Sequence, residues 1–146
     1  MFHRIHVATP PRTAFAVLSD VSLNPRWQST TLTARWTSPA PHGRESTFVQ
    51  THRVLGWTFD HTFGVLEYEP ERLFAYECRE GPQPVQVALR VEPTPEGALI
   101  EMEVRSNPTG VRKLSAPMAR HYIKRILTGD MGRLRALVDG RAASAD

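Results

Sequence analysis

The stretch FVQTHRVLGWTFDHTF, Phe48 to Phe63, has the pattern of a β-hairpin. Apolar and polar residues alternate on both sides of Leu55-Gly56, which is the period of two strands joined by a turn. If Val54 pairs with Trp57, one face of the hairpin is apolar and the other is polar. The apolar face nevertheless carries three polar side chains: Gln50, His52 and His61.

These three side chains need partners if they face the interior. An unpaired buried polar group costs about 1–3 kcal/mol, and the cost disappears when the group meets water or a polar ligand in a cavity. Three interpretations follow from the sequence. The groups bond to one another or to backbone, the ends of the sheet leave them in solvent, or they contact a ligand. General acid–base catalysis by His52 or His61 is a special case of the last.

The rest of the chain continues the strand pattern. Short connections rich in Gly and Pro separate the strands and favour antiparallel neighbours. Thr9, followed by Pro10-Pro11, predicts a helix start with a hydroxyl N-cap, and this helix extends to about Ser19. A second short helix is expected over 20–25, ended by Pro25 and Trp27. The predicted strands are 2–8, 29–37, 45–54, 57–67, 72–79, 84–93 and 98–106.

The last third of the chain changes to a helical period. From Val111 and Leu114 to Val138 the apolar residues recur at intervals of three and four, which predicts a helix over 117–139 that is about 34 Å long. Pro117 lies inside this pattern and predicts a kink. Asp130 falls in the middle of the apolar stripe. The sequence leaves three interpretations open: it lies beyond the edge of the sheet, it pairs with an Arg or with backbone N–H groups, or it faces a cavity and meets a ligand.

Composition limits the class of protein. The 146 residues are 40% hydrophobic and 23% charged, with one cysteine and a net charge of +3. We expect one domain over 1–140 and a frayed tail over 141–146. The arginines are scattered, so no nucleic-acid partner is expected. No metal, cofactor or stable membrane insertion is indicated, and we expect a cytoplasmic protein of bacterial type.

Four stretches resemble the SRPBCC superfamily, which has the START-like helix-grip fold and includes the polyketide cyclase/dehydrase group. They are ATPPRTAFAVLSD, NPRW, RVLGWTFDHTFGVLEYEPERLFAYEC and PTGVRKLSAPMARHYIKRILTGDMGRLRALVDG. The resemblance implies an α+β fold. A curved antiparallel sheet of about seven strands would surround a long C-terminal helix, with two short helices after the first strand. It also implies an apolar cavity between sheet and helix.

Three functions remain open. The first is binding, transport or conversion of a small hydrophobic molecule such as a lipid or polyketide. The second is a cyclase or dehydratase that uses His52 or His61 as a base, assisted by Tyr76 or Tyr122. The third is a protein-interaction module without a small ligand, in which a basic helix face (Arg112, Lys113, Arg120, Lys124, Arg125) docks an acidic partner.

Alternation along the strands and the helix stripe select the candidate residues. Leu32 and Ala34 are expected to face inward on the second strand, as is Cys78 on the fifth, where it is read as an inert apolar side chain. Trp27 either plugs one end of the fold or gates the cavity. The candidate ligand contacts are Trp36, Phe48, Gln50, His52, Phe59, His61, Phe63, Tyr76, Met102, Tyr122, Ile126 and Asp130.

Overall fold

A computed structural model describes residues 1–106 and 116–145 of the chain. Seven strands form one curled antiparallel sheet, in the order β1-β7-β6-β5-β4-β3-β2. The strands are β1 Phe2–Val7, β2 Thr31–Trp36, β3 Thr47–Val54, β4 Trp57–Glu69, β5 Leu73–Glu80, β6 Val85–Thr94 and β7 Gly97–Ser106. This architecture confirms the predicted number and direction of the strands.

The β3–β4 hairpin has the predicted register. Val54 pairs with Trp57, and Gln50 pairs with His61. The two-residue turn places Leu55 at φ +51° and Gly56 at φ +80°. Glycine adopts this left-handed region freely, but for an L-residue such as Leu55 it costs about 1–2 kcal/mol. The alternation of the two strands therefore sets the register even though the turn residue is unfavourable.

The prediction that Leu32 faces inward is wrong. The β2–β3 register shifts between Thr31 and Thr33, which is a β-bulge. The bulge brings Thr31 opposite His52 and leaves the Leu32 side chain 49% exposed. Beyond the bulge, Ala34 lies opposite Gln50 as expected.

The short helices differ from the prediction in their termini. α1 spans Pro11–Leu18, a 3₁₀ turn spans Val21–Leu23, and α2 spans Asn24–Trp27. The predicted N-cap is wrong, because Pro10 occupies the cap position and Thr9 Oγ1 instead donates to Asp139 Oδ1 at 2.6 Å. Pro25 lies in the first turn of α2 rather than ending a helix, since a first-turn residue needs no intrahelical N–H bond.

The long helix α3 spans Ala116–Ala145, so it continues past the predicted end at Asp139 and through most of the tail that we expected to fray. Pro117 lies in its first turn, where proline starts a helix instead of kinking it. Val111 and Leu114, the first residues of the apolar pattern, lie outside the described residues.

The C-terminal half of α3 closes a dry core. Met131, Leu134 and Val138 are buried in one cluster with apolar residues of α1 and β1. Nearer the N-terminus of α3, Tyr122 and Ile126 are only half-buried. The sheet and the helix are therefore tightly packed at one end and leave space at the other. Over 1–106 and 116–145, no helix combines the length and the apolar character that crossing a bilayer requires.

Candidate functional site

A cavity of about 850 Å³ lies between the concave face of the sheet and the N-terminal half of α3. Apolar and aromatic side chains of β3 to β7 form most of its wall, together with the loop after α2 and the turn between β5 and β6. Leu55 and Trp57, at the tip of the hairpin, line the cavity and are also solvent-exposed. They therefore mark its opening.

Most of the candidate residues lie on this wall. The cavity is lined by Gln50, His52, Phe59, His61, Phe63, Tyr76, Met102, Tyr122, Ile126 and Asp130. Trp36 and Phe48 share the inner face but do not line the cavity. Trp36 stacks on His42 with centroids 3.9 Å apart, and Phe48 is fully buried against Trp36, Phe63 and Tyr76.

A ladder of rings runs along β4. Trp57, Phe59, His61 and Phe63 occupy alternate positions, with successive ring centroids 4.7, 5.2 and 5.4 Å apart. Alternate residues of a strand share one face, so the four rings form a continuous aromatic surface. This surface is suited to flat apolar molecules, which gain contact area with rings.

Gln50 and His52 belong to a hydrogen-bond network that the sequence did not reveal. Asn24 Nδ2 donates to Gln50 Oε1 at 2.6 Å. Gln50 Nε2 in turn donates to Gln28 Oε1 at 3.3 Å and lies 3.5 Å from His52 Nε2. Thr31 Oγ1 donates to the same Gln28 oxygen at 2.8 Å. Asn24 of α2, Gln28 of the following loop and Thr31 at the start of β2 therefore satisfy much of the polar character of the sheet face.

This network assigns the proton on His52. An amide nitrogen can only donate, so Gln50 makes His52 Nε2 an acceptor. Nδ1 then carries the hydrogen and donates to Thr31 Oγ1 at 3.4 Å. Burial, together with the smaller effect of the nearby His61, lowers the pKa of His52 to about 4. His52 is therefore a neutral imidazole whose nitrogens both face protein groups.

His61 is held differently. Its side chain is 4% exposed, and burial lowers its pKa. The backbone of Gln83 favours the protonated ring, but no atom of the described chain completes a well-aligned hydrogen bond with either ring nitrogen. Gly81 packs on the ring edge, where a Cβ would collide with His61 Cδ2. His61 therefore contributes ring surface to the wall, while its nitrogens are covered.

Asp130 anchors the loop after α2 to the long helix. Its Oδ1 accepts a hydrogen bond from Ser29 N at 3.0 Å and another from the Arg133 guanidinium. Arg133 Nε also donates to the Trp27 carbonyl at 3.2 Å. Gly129 lies beside this guanidinium, so its missing side chain leaves room for the pair. The carboxylate thus has the Arg and backbone partners that one sequence interpretation expected, and it still lines the cavity.

Replacing Asp130 with Ala should loosen this anchor. The change removes the acceptor for Ser29 N and the partner of Arg133, and we expect the free energy of unfolding to fall by about 1–3 kcal/mol. Amide exchange at Ser29 should accelerate. Asp130→Asn keeps an oxygen for Ser29 N and should cost less. Unchanged exchange at Ser29 in Asp130→Ala would contradict the anchoring role.

Two further aromatic residues complete the inner wall. Tyr76 is buried, and burial raises its pKa to about 12, while a hydrogen bond with the Gln28 side chain acts in the opposite direction. Trp27 is also buried on the wall, and its Nε1 has no partner among the described residues. This burial agrees with the plug interpretation of Trp27. Within 1–106 and 116–145, no three His, Cys, Asp or Glu side chains come together as metal ligands would.

A curled antiparallel sheet that holds a long helix over a cavity defines the helix-grip class of α+β proteins. The chain belongs to the polyketide cyclase / dehydrase and lipid transport family, whose sequence model matches residues 3–139. This membership confirms the resemblance found in the sequence. No curated protein matches the chain in sequence.

Solved structures share the fold at low sequence identity. The di-domain ARO/CYC StfQ from the steffimycin biosynthetic pathway has a TM-score of 0.76 and 16% identity, over 98% of this chain and 51% of that chain. A protein from Thermus thermophilus has a TM-score of 0.74 and 12% identity, over 100% and 98%. A START superfamily protein from Mycobacterium smegmatis has a TM-score of 0.70 and 14% identity, also over 100% and 98%. These similarities concern the fold alone.

Proposed function

We propose that the protein binds a small hydrophobic molecule in the cavity between the sheet and α3. The observation that carries this proposal is the cavity itself, with a volume of about 850 Å³ and a mostly apolar, aromatic wall. Ligand pockets in proteins typically have volumes of about 300–1,000 Å³ and a few placed polar groups. Protein interiors are close-packed, so a core that serves stability alone is not expected to contain an open volume of this size.

Family membership supports the same proposal. The family description joins polyketide chemistry with lipid transport, and both concern apolar small molecules. The ring ladder of β4 favours a ligand with a flat body. Transport of the ligand and its chemical conversion are both compatible with this cavity.

The geometry favours binding over catalysis by a cavity histidine. A general base must lie within hydrogen-bond reach of the proton that it removes. Both nitrogens of His61 are buried away from the open volume, and those of His52 face Gln50 and Thr31. Tyr76, the proposed assistant, keeps its proton because burial raises its pKa. The acid–base alternative therefore needs a rearrangement of the wall, whereas binding needs none.

The interaction-module alternative has less support than a small ligand. Arg120, Lys124 and Arg125 are exposed on α3, but charged residues on any solvent-facing helix surface are exposed in the same way. Arg112 and Lys113 lie outside the described residues. Docking of a partner on the exposed face of α3 would not require a cavity between the helix and the sheet.

Filling the cavity should abolish binding without unfolding the protein. Ile126 of α3 is half-buried on the wall, so Ile126→Trp adds a large ring inside the open volume. We expect the affinity for the neutral dye N-phenyl-1-naphthylamine, measured by fluorescence titration, to fall about tenfold or more, since the dye and the indole compete for space. Thr128→Trp is the matched control, because Thr128 is exposed on the same helix.

Native mass spectrometry of the protein purified from its own host would identify the ligand directly. Equal dye affinity in Ile126→Trp and in the wild type would show that the cavity is not the binding site.

A further inference from the structure

The cavity wall has an unusual charge distribution for a site that would hold a fatty acid or a phospholipid headgroup. Among the described residues that line it, Asp130 is the only one with a formal charge, and neither Lys nor Arg is present. Arg133 does not line the cavity and is committed to Asp130 and to the Trp27 carbonyl. On the part of the wall that the structure describes, an anion that entered would therefore find a carboxylate and no unpaired cation.

The two histidines do not supply the missing positive charge. His52 is neutral because its Nε2 accepts a hydrogen bond from the Gln50 amide. A proton added to Nε2 would point at the N–H group of that amide, and the hydrogen bond would be lost. Burial acts on His52 in the same direction. His61 is almost completely buried among Phe59, Phe63 and Gly81. Protonating it would place a charge in largely apolar surroundings, which is unfavourable.

The remaining polar groups on the wall are uncharged. They are the side chains of Gln28, Thr30, Gln50, Tyr76, Gln83, Ser106 and Tyr122. Amides and hydroxyls donate to and accept from hydroxyl and carbonyl groups without a net charge. An ionised headgroup would lose its hydration on entry and gain only such dipoles in return, and burying an ion without a counter-ion is unfavourable.

We propose that the cavity selects uncharged ligands, namely neutral molecules with a flat apolar body and a hydroxyl, carbonyl or amide group, and that the Asp130 carboxylate contributes by pairing with Arg133, which leaves that guanidinium unavailable to an anion. The inference rests on the proposed binding function and narrows it. It assigns Asp130 a second role besides anchoring the loop, since one carboxylate both accepts a hydrogen bond from Ser29 N and neutralises the Arg133 guanidinium.

The test compares a neutral amide with the carboxylate of the same ring system. Anthracene-2-carboxamide and anthracene-2-carboxylate have nearly the same shape, and only the second is ionised at neutral pH. Isothermal titration calorimetry of the full chain should show the amide binding about tenfold or more tightly than the carboxylate. A carboxylate that binds as tightly as the amide would overturn the inference and leave the binding function intact. Failure of both compounds and of N-phenyl-1-naphthylamine would overturn the binding function, and the inference with it.

A pair of variants tests the assignment to Asp130. Asp130→Asn keeps an oxygen for Ser29 N, removes the negative charge from the wall and leaves Arg133 without its carboxylate. The amide preference should then shrink to about threefold or less, because the local charge becomes positive. Asp139→Asn is the matched control. Asp139 lies on the same helix but bonds to Thr9 and Ala8 outside the cavity, so the preference should remain. An unchanged preference in Asp130→Asn would overturn the role given to this carboxylate.

Discussion

Replacing Phe48 with Ala is expected to lower the free energy of unfolding by about 3–5 kcal/mol, the usual cost of truncating a buried Phe. Phe48 is 0% exposed and touches Trp36, Phe63 and Tyr76. The variant would leave an apolar void that these rings cannot collapse to fill. Urea denaturation followed by far-ultraviolet circular dichroism measures the loss.

Trp57→Ala is the comparison within the same hairpin face. Trp57 is 50% exposed at the cavity opening and contacts Phe59, so its truncation should cost about 1 kcal/mol or less. Phe63→Ala should fall between the two, because Phe63 is buried but borders space that is already open. Equal losses for Phe48→Ala and Trp57→Ala would contradict the division of this face into a dry part and a cavity part.

Acidification from neutral pH to about pH 4 is expected to destabilise the protein through His52. The folded pKa is about 4 and the ordinary value is 6.5. Between these two pH values the unfolded chain binds a proton at His52 that the folded chain does not bind. The contribution of His52 to the free energy of unfolding is therefore fully present above pH 6.5 and falls as the pH drops toward 4. The shift corresponds to at most about 3 kcal/mol. His61 acts in the same direction, since its pKa is also lowered.

The measurement is the free energy of unfolding as a function of pH for the wild type and two variants. His52→Leu should retain the fold at neutral pH and lose most of the acid sensitivity. Thr31→Val removes the hydroxyl partner of His52 but keeps the buried imidazole, so its pH dependence should persist. A wild-type profile that is flat over this range, or a His52→Leu profile as steep as that of the wild type, would contradict the assignment.

The sequence predicted the features that depend on periodicity. The register of Val54 with Trp57, the seven antiparallel strands and the helix over the sheet all follow from the spacing of apolar residues. This spacing is two residues in the strands and three to four in the helix. The same register placed Gln50, His52 and His61 on one inner face. Periodicity fails where one residue interrupts it, as at the bulge before Thr33, which turned Leu32 outward.

The parts of the site that the sequence missed depend on contacts between distant segments. Asn24 and Gln28 reach Gln50 across more than twenty positions, and the Ser29 amide meets Asp130 across about a hundred. A loop carries no period that would indicate these contacts. Inner-face alternation also cannot separate Phe48, in dry core, from Phe63, on a cavity wall, because both obey the same pattern.

The contact of Gly81 with His61 has a consequence for the evolution of this chain. A side chain at position 81 would occupy the space of the imidazole edge. Positions 61 and 81 therefore form a linked pair, in which a larger residue at 81 requires the ring at 61 to move or to be replaced by a smaller side chain. Among descendants of this sequence, we expect substitutions at these two positions to occur together, and lineages that keep the ring ladder of β4 to keep the glycine as well.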